Sequence, residues 1–236
     1  MEREREHEIY VIACETLKQE LLAVMGKQGC DYPVVWVDAG KHTWPDKLRV
    51  SVQEAIDGVP PSCKTVLLLF GFCGNAMVGI EARNHRLVMP KAADCIPLFI
   101  GSRKEREAYG TRTYFFTEGY LNSGGSMVSD ASRIYERYGE EDGLFIMKKM
   151  LGHYQDFAVV DTGVFDVDAV RAGVEDFAKP LEIPVRLIPG SLRLIDALLA
   201  GAWQDDSFLV LAPGGKITFE DSLEAGKSQD FAGAAV

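Results

Sequence analysis

The chain has 236 residues, 47% of them hydrophobic, enough for a sizeable core in one large domain or two small ones. Its formal charge of −10, from 35 acidic against 25 basic residues, argues against a sequence-independent grip on nucleic acid, which needs a positive field. No apolar run approaches the ~20 residues of a membrane helix, and the charged opening MEREREHE lacks the apolar stretch of a secretory signal, so no membrane partner and a cytoplasmic location are expected.

Residues 9–13 (IYVIA) form a short continuous apolar run, the pattern of a buried parallel strand. The run ends at Cys14-Glu15-Thr16. A helix follows, with Leu17, Leu21, Leu22 and Met25 at helical spacing and Gly26 as its expected stop. Residues 33–37 (PVVWV) read as the second strand. They lead through His42-Thr-Trp-Pro45 into a helix with Leu48, Val52, Ala55 and Ile56 on one face and Pro45 in its first turn. Residues 65–70 and 87–89 are the third and fourth strands, and 96–100 continues as apolar structure.

Strand 113–117 (TYFFT) opens the second half. After the loop 122–126, Ser126 or Ser129 caps a helix carrying Ile134 and Tyr138, and residues 143–153 read as a further helix. Strand 157–160 ends at Asp161-Thr-Gly163. Helix 167–178, strand 184–188, helix 192–200, strand 208–211 and a hairpin into strand 216–219 complete the alternation. Residues 222–236 carry no apolar periodicity and are expected to fray as a flexible tail. Strands alternating with helices imply an α/β fold with parallel, doubly wound sheets. The preferred arrangement is two Rossmann-like lobes, 1–110 and 111–221, with a single continuous sheet as the alternative.

In such sheets ligands bind at the carboxyl ends of the strands. Four thiol or imidazole groups fall there: Cys14, His42, Cys73 and Cys95, each just past one of the first four strands. Cys30 and Cys63 precede strands and belong to the opposite edge. Five cysteines, all within the first 95 residues, suit free thiols, metal ligands or a nucleophile better than a disulfide frame in a reducing compartment. Three thiolates and an imidazole match zinc or iron. Glu15 and Asp94 are candidates to support the ligands or move protons. Gly71, Gly74 and Asn75 permit close backbone approach of a ligand, and Asp161 offers a carboxylate from the second lobe. Tyr120, Asn122 and Ser123 are placed to line a cleft between the lobes. The same residues without metal would make a cysteine nucleophile beside His42.

Several unusual short motifs occur in one order: Ile12-Ala-Cys-Glu-Thr-Leu17, His42-Thr-Trp-Pro45, Gly71-Phe-Cys-Gly-Asn75, and Pro90-Lys-Ala-Ala-Asp-Cys95 followed by Gly101-Ser102. In these the chain resembles the DUF1638 family, with Ala76 standing where that family's pattern commonly has glycine. The resemblance implies a setting beside corrinoid methyltransferase systems of one-carbon, methylamine-type metabolism. The expectation is therefore a metal-binding α/β protein, a metalloenzyme or an accessory protein, with a small-molecule ligand. The alternatives are a metal-free cysteine-dependent transferase or hydrolase, and a non-catalytic protein binding a small molecule or a corrinoid.

Overall fold

The computed structural model describes residues 7–204 and 206–226. Its strands are β1 (Ile9–Cys14), β2 (Val34–Val37), β3 (Thr65–Leu69), β4 (Arg86–Pro90), β5 (Thr113–Phe116), β6 (Asp156–Asp161), β7 (Val185–Pro189) and β8 (Phe208–Leu211). Its helices are α1 (Lys18–Gln28), α2 (Pro45–Asp57), α3 (Ile96–Ile100), α4 (Arg103–Ala108), α5 (Glu118–Leu121), α6 (Met127–Leu151), α7 (Val167–Ala178), α8 (Arg193–Leu199) and α9 (Phe219–Gly226). The fold is α/β.

The first sheet has the order β2-β1-β3-β4-β8. Its first four strands are parallel, and β8 pairs antiparallel with β4. Every residue of β3 is buried, which is why it reads as an uninterrupted apolar run. The connection from β1 to β2 runs one way across this sheet and that from β2 to β3 runs the other. Right-handed crossovers then put α1 and α2 on opposite faces. The loops leaving β1 and β3 diverge at the carboxyl edge, and a crevice opens between them.

The second sheet, β5-β6-β7, is wholly parallel. Period-two alternation splits its side chains between two cores. Phe115, Ala158, Val160 and Ile188 join the core built around the first sheet. Phe116, Phe157 and Val159 face the other way, into a core shared with Met147 and Leu151 of α6 and Val170 and Val174 of α7.

Several expectations are corrected. The first helix runs through Gly26 and stops at Gly29, whose φ of +67° suits a left-handed cap. The two expected helices of the second half are both present: they follow one another in α6, separated by a non-helical Gly139 (φ +78°, ψ 177°), and Ser126 caps the first. Residues 216–219 form no strand: Lys216 makes only an isolated bridge to Glu81, and Phe219 starts α9. Residues 222–226 are not a fraying tail but the body of α9, with Ala225 fully buried; residues 227–236 lie outside the described residues. The second lobe ends before 221, because α8 and β8 pack on the first sheet. No helix among the described residues is long and apolar enough to cross a membrane.

Candidate functional site

The four strand-end groups come together as two pairs, Cys14 with His42 and Cys73 with Cys95. Cys14, the last residue of β1, is fully buried. Beyond β2, Asp38 accepts a hydrogen bond from the Gly40 N–H (2.6 Å) and starts the 3₁₀ turn Ala39–Thr43 that carries His42. The His42 Nε2 and Cys14 Sγ share a hydrogen bond of 3.1 Å. Cys14 Sγ is also 3.1 Å from the Thr16 hydroxyl, and the His42 ring stacks over Phe70 (centroids 6.4 Å, 24° between planes).

Past β3 and β4 the two chains continue side by side. Phe72 N–H donates to Ala92 O (2.8 Å) and Cys73 N–H to Ala93 O (2.9 Å). A Cβ on Gly71 would come within 2.3 Å of the Asp94 backbone, so this approach requires glycine. Cys73 and Cys95 are thereby brought to a sulfur–sulfur distance of 3.4 Å, and the Gly71 N–H donates to Cys95 Sγ (3.4 Å). Cys73, Gly74 and Asn75 are all left-handed (φ +46°, +67° and +68°). Two of the three are not glycine, and such strain persists only where the surroundings impose it.

These groups form one wall of a cavity of about 520 Å³ between the sheets. The first lobe contributes Thr16, His42, Cys73, Gly74, Asp94, Cys95 and Arg106. The second contributes Thr113, Tyr114, Thr117, Tyr120, Ser123 and Tyr154. Cys14 lies one hydrogen bond back from this wall. Gly119, at the start of α5, has no room for a side chain: a Cβ there would stand 2.1 Å from Thr16 O. That contact fixes the two walls against each other.

The electrostatics separate the groups. Burial disfavours the His42 imidazolium, but the hydrogen bond to Cys14 and the sulfur charges of Cys95 and Cys14 outweigh it, and the pKa is pushed up to about 9. The Cys95 thiol is held well above its ordinary range, by its hydrogen bond to Cys73, by burial and by the charge of Cys73. Two thiols in contact cannot both ionise cheaply unless a cation joins them. Across the cavity, burial and Tyr120 keep the Tyr114 phenol neutral. The Tyr114 and Tyr120 hydroxyls are hydrogen-bonded, and Tyr120 Oη accepts from Met127 N–H (3.0 Å). The Arg106 guanidinium lies over Phe115 (4.5 Å), donates to Gly110 O (2.8 Å) and sits 3.8 Å from Asp94. The four sulfur and imidazole donors stand as two pairs. Among the described residues no three His, Cys, Asp or Glu side chains are arranged around a point that would hold a metal ion.

A family model described as a protein of unknown function, DUF1638, matches residues 36–199. The chain belongs to this family. The match takes in His42, Cys73, Cys95 and the opposite cavity wall, and begins after Cys14. No curated protein and no solved structure gives a significant match.

The remaining candidates in this DUF1638 chain fall in different places. Asp94 lines the cavity, and its Oδ1 accepts from Ile96 N–H (2.9 Å) at the start of α3. Gly74 lines the cavity, whereas Gly71 serves the close approach of two backbones. Asn75 is exposed and turned to α9, where Ser222 donates to its Oδ1. Glu15 is exposed and outside the cavity lining. Asp161 accepts from Gly163 N–H (2.9 Å) in a turn and is also outside the lining. Tyr120 and Ser123 line the cavity and Asn122 does not. Arg106, Tyr114 and Tyr154 carry no signal of site membership in the sequence. Arg106 lies in the charged run 103–107, and its packing over Phe115 brings it to the cavity.

Proposed function

We propose that Cys14, His42, Cys73 and Cys95 bind a soft or borderline divalent transition metal, zinc or iron, beside a cavity that receives a small molecule. The observation that carries the reading is the spacing of the donors. Two sulfurs on one tetrahedral zinc stand about 3.8 Å apart, and a sulfur and an imidazole nitrogen about 3.5 Å. The pairs stand at 3.4 and 3.1 Å, sulfur to sulfur and sulfur to nitrogen. His42, Cys73 and Cys95 line one cavity and Cys14 is bonded to His42, so a cation drawing both pairs inward would satisfy all four donors. It also relieves the contact between two thiols that resist joint ionisation. Binding displaces the thiol protons and the Nε2 proton of His42.

Three protein sulfurs and one imidazole close a tetrahedral site. A ligand in the cavity would have to displace a donor to reach such a metal, and Cys73, on its strained turn at the cavity wall, is the donor placed to give way. Asp94, on the same wall, is the candidate proton carrier. Activity in corrinoid-linked one-carbon metabolism, as a metalloenzyme or accessory protein, rests on the family resemblance alone.

Elemental analysis of protein purified without added metal tests the reading. About one equivalent of zinc or iron supports it; under about a tenth of an equivalent, with every thiol freely titratable, sinks it. A second reading, a metal-free cysteine nucleophile, is favoured by the left-handed backbone of Cys73 at the cavity wall. It requires Cys73 to be alkylated far faster than the other four cysteines. Against it, His42 directs its Nε2 to Cys14.

A further inference from the structure

The contact between Cys73 and Cys95 has a chemistry of its own. Their sulfurs are 3.4 Å apart, on backbones held in register by two hydrogen bonds. A disulfide needs about 2.0 Å between sulfurs, so closure takes an approach of about 1.4 Å between side chains already facing each other. Both residues line the cavity, so a small oxidant that enters it meets the pair. The sulfurs are not equivalent: Cys95 Sγ is engaged by the Gly71 N–H, and Cys73 sits on the strained turn. The other three cysteines stand apart from this contact. Cys14 is bonded to His42, Cys30 Sγ points to Met25 O (3.8 Å), and Cys63 Sγ to Thr65 O (3.2 Å).

We infer that Cys73 and Cys95 are an oxidative modification site, a dithiol that a peroxide converts to a disulfide, with Cys73 attacked first and Cys95 resolving. In the first step the Cys73 sulfur attacks a peroxide oxygen. An S–O bond forms, the O–O bond breaks, water leaves, and the sulfur becomes a sulfenic acid. In the second step the Cys95 sulfur attacks that sulfur, the S–S bond forms, the S–O bond breaks and a second water leaves. The balance is two thiols and hydrogen peroxide to one disulfide and two waters. The inference rests on the metal reading in one respect only: the disulfide removes two of the four proposed ligands, so oxidation ejects the metal.

The test uses the full chain, once as purified and once loaded with zinc. Each sample is treated with a small excess of hydrogen peroxide, alkylated and digested with trypsin. Peptides 65–83 and 92–103 each contain one cysteine. The expected product is these two peptides joined, two hydrogens lighter than their sum and separated by dithiothreitol. The zinc-loaded sample should release its zinc to a chromogenic chelator at the rate at which the link forms. A Cys95→Ser chain should instead accumulate a trappable sulfenic acid on Cys73. A link that forms in a chain unable to hold zinc removes the metal and leaves the inference standing. Zinc that stays bound while Cys73 passes to sulfinic acid with no link overturns the inference and leaves the metal reading intact. A link from Cys73 to any cysteine other than Cys95, or between two chains, also overturns it.

Discussion

Gly71 and His42 are the residues on which the site's geometry and charge turn. A methyl group on Gly71 would stand 2.3 Å from the Asp94 backbone, where neither chain can yield without breaking the register that pairs Cys73 with Cys95. Gly71→Ala is expected to lose stability at or above the ~3 kcal/mol upper end of overpacking costs, read by urea denaturation. His42 holds its proton up to about pH 9 in the folded chain, against 6.5 unperturbed. Protonation therefore stabilises the metal-free fold: the contribution is fully present below pH 6.5 and is lost as pH rises through about 9. The stability difference between wild type and His42→Gln should shrink over that window. Metal affinity should move the other way, rising with pH as the competing proton leaves. Glu20 offers a control away from the cavity wall. It is 1% exposed, and burial raises its pKa, against its backbone hydrogen bond and that donated by Thr162 (3.0 Å). Its raised pKa means stability present in acid and lost as pH rises through the folded value. Glu20→Gln should thus be more stable than wild type at neutral pH and no more stable below pH 4, with no change in metal affinity.

The helix α9 shows how a local signal decides an element. Ile217 and Phe219 alternate with polar residues and read as a strand. Yet Thr218 and Asp221 form a reciprocal cap, Asp221 N–H to Thr218 Oγ1 (3.2 Å) and Thr218 N–H to Asp221 Oδ2 (2.7 Å). Thr218→Ala should cost about 1 kcal/mol, measured by denaturation. The same contrast runs through the chain. The parallel strands were legible because burial on both faces leaves an unbroken apolar run, and with them the placement of Cys14, His42, Cys73 and Cys95 at their ends. Gly26 and Gly29 are indistinguishable in sequence, and only the second needs a positive φ. Gly139, with φ +78°, separates the two helices of α6 where the sequence places them. The far wall of the cavity was least legible. Tyr114 and Tyr154 reach it through the docking of the second sheet on the first core, and no spacing in the sequence encodes that. The strain at Cys73 was equally hidden, since nothing but glycine usually announces a left-handed turn.

At the scale of the molecule, the chain builds the first sheet, leaves it for the second, and returns with α8, β8 and α9. The cavity is held between walls joined on both sides, so what binds there should stabilise the whole. Zinc at about a thousand times its dissociation constant should add roughly 4 kcal/mol, read as a rise in melting temperature. That rise should vanish in a chain carrying both His42→Ala and Cys73→Ala. The most direct test of the proposed site is X-ray absorption at the metal edge of the loaded chain. Ligation by Cys14, Cys73, Cys95 and His42 predicts three sulfurs at about 2.3 Å and one nitrogen at about 2.0–2.1 Å. A shell of oxygen and nitrogen without sulfur would contradict it.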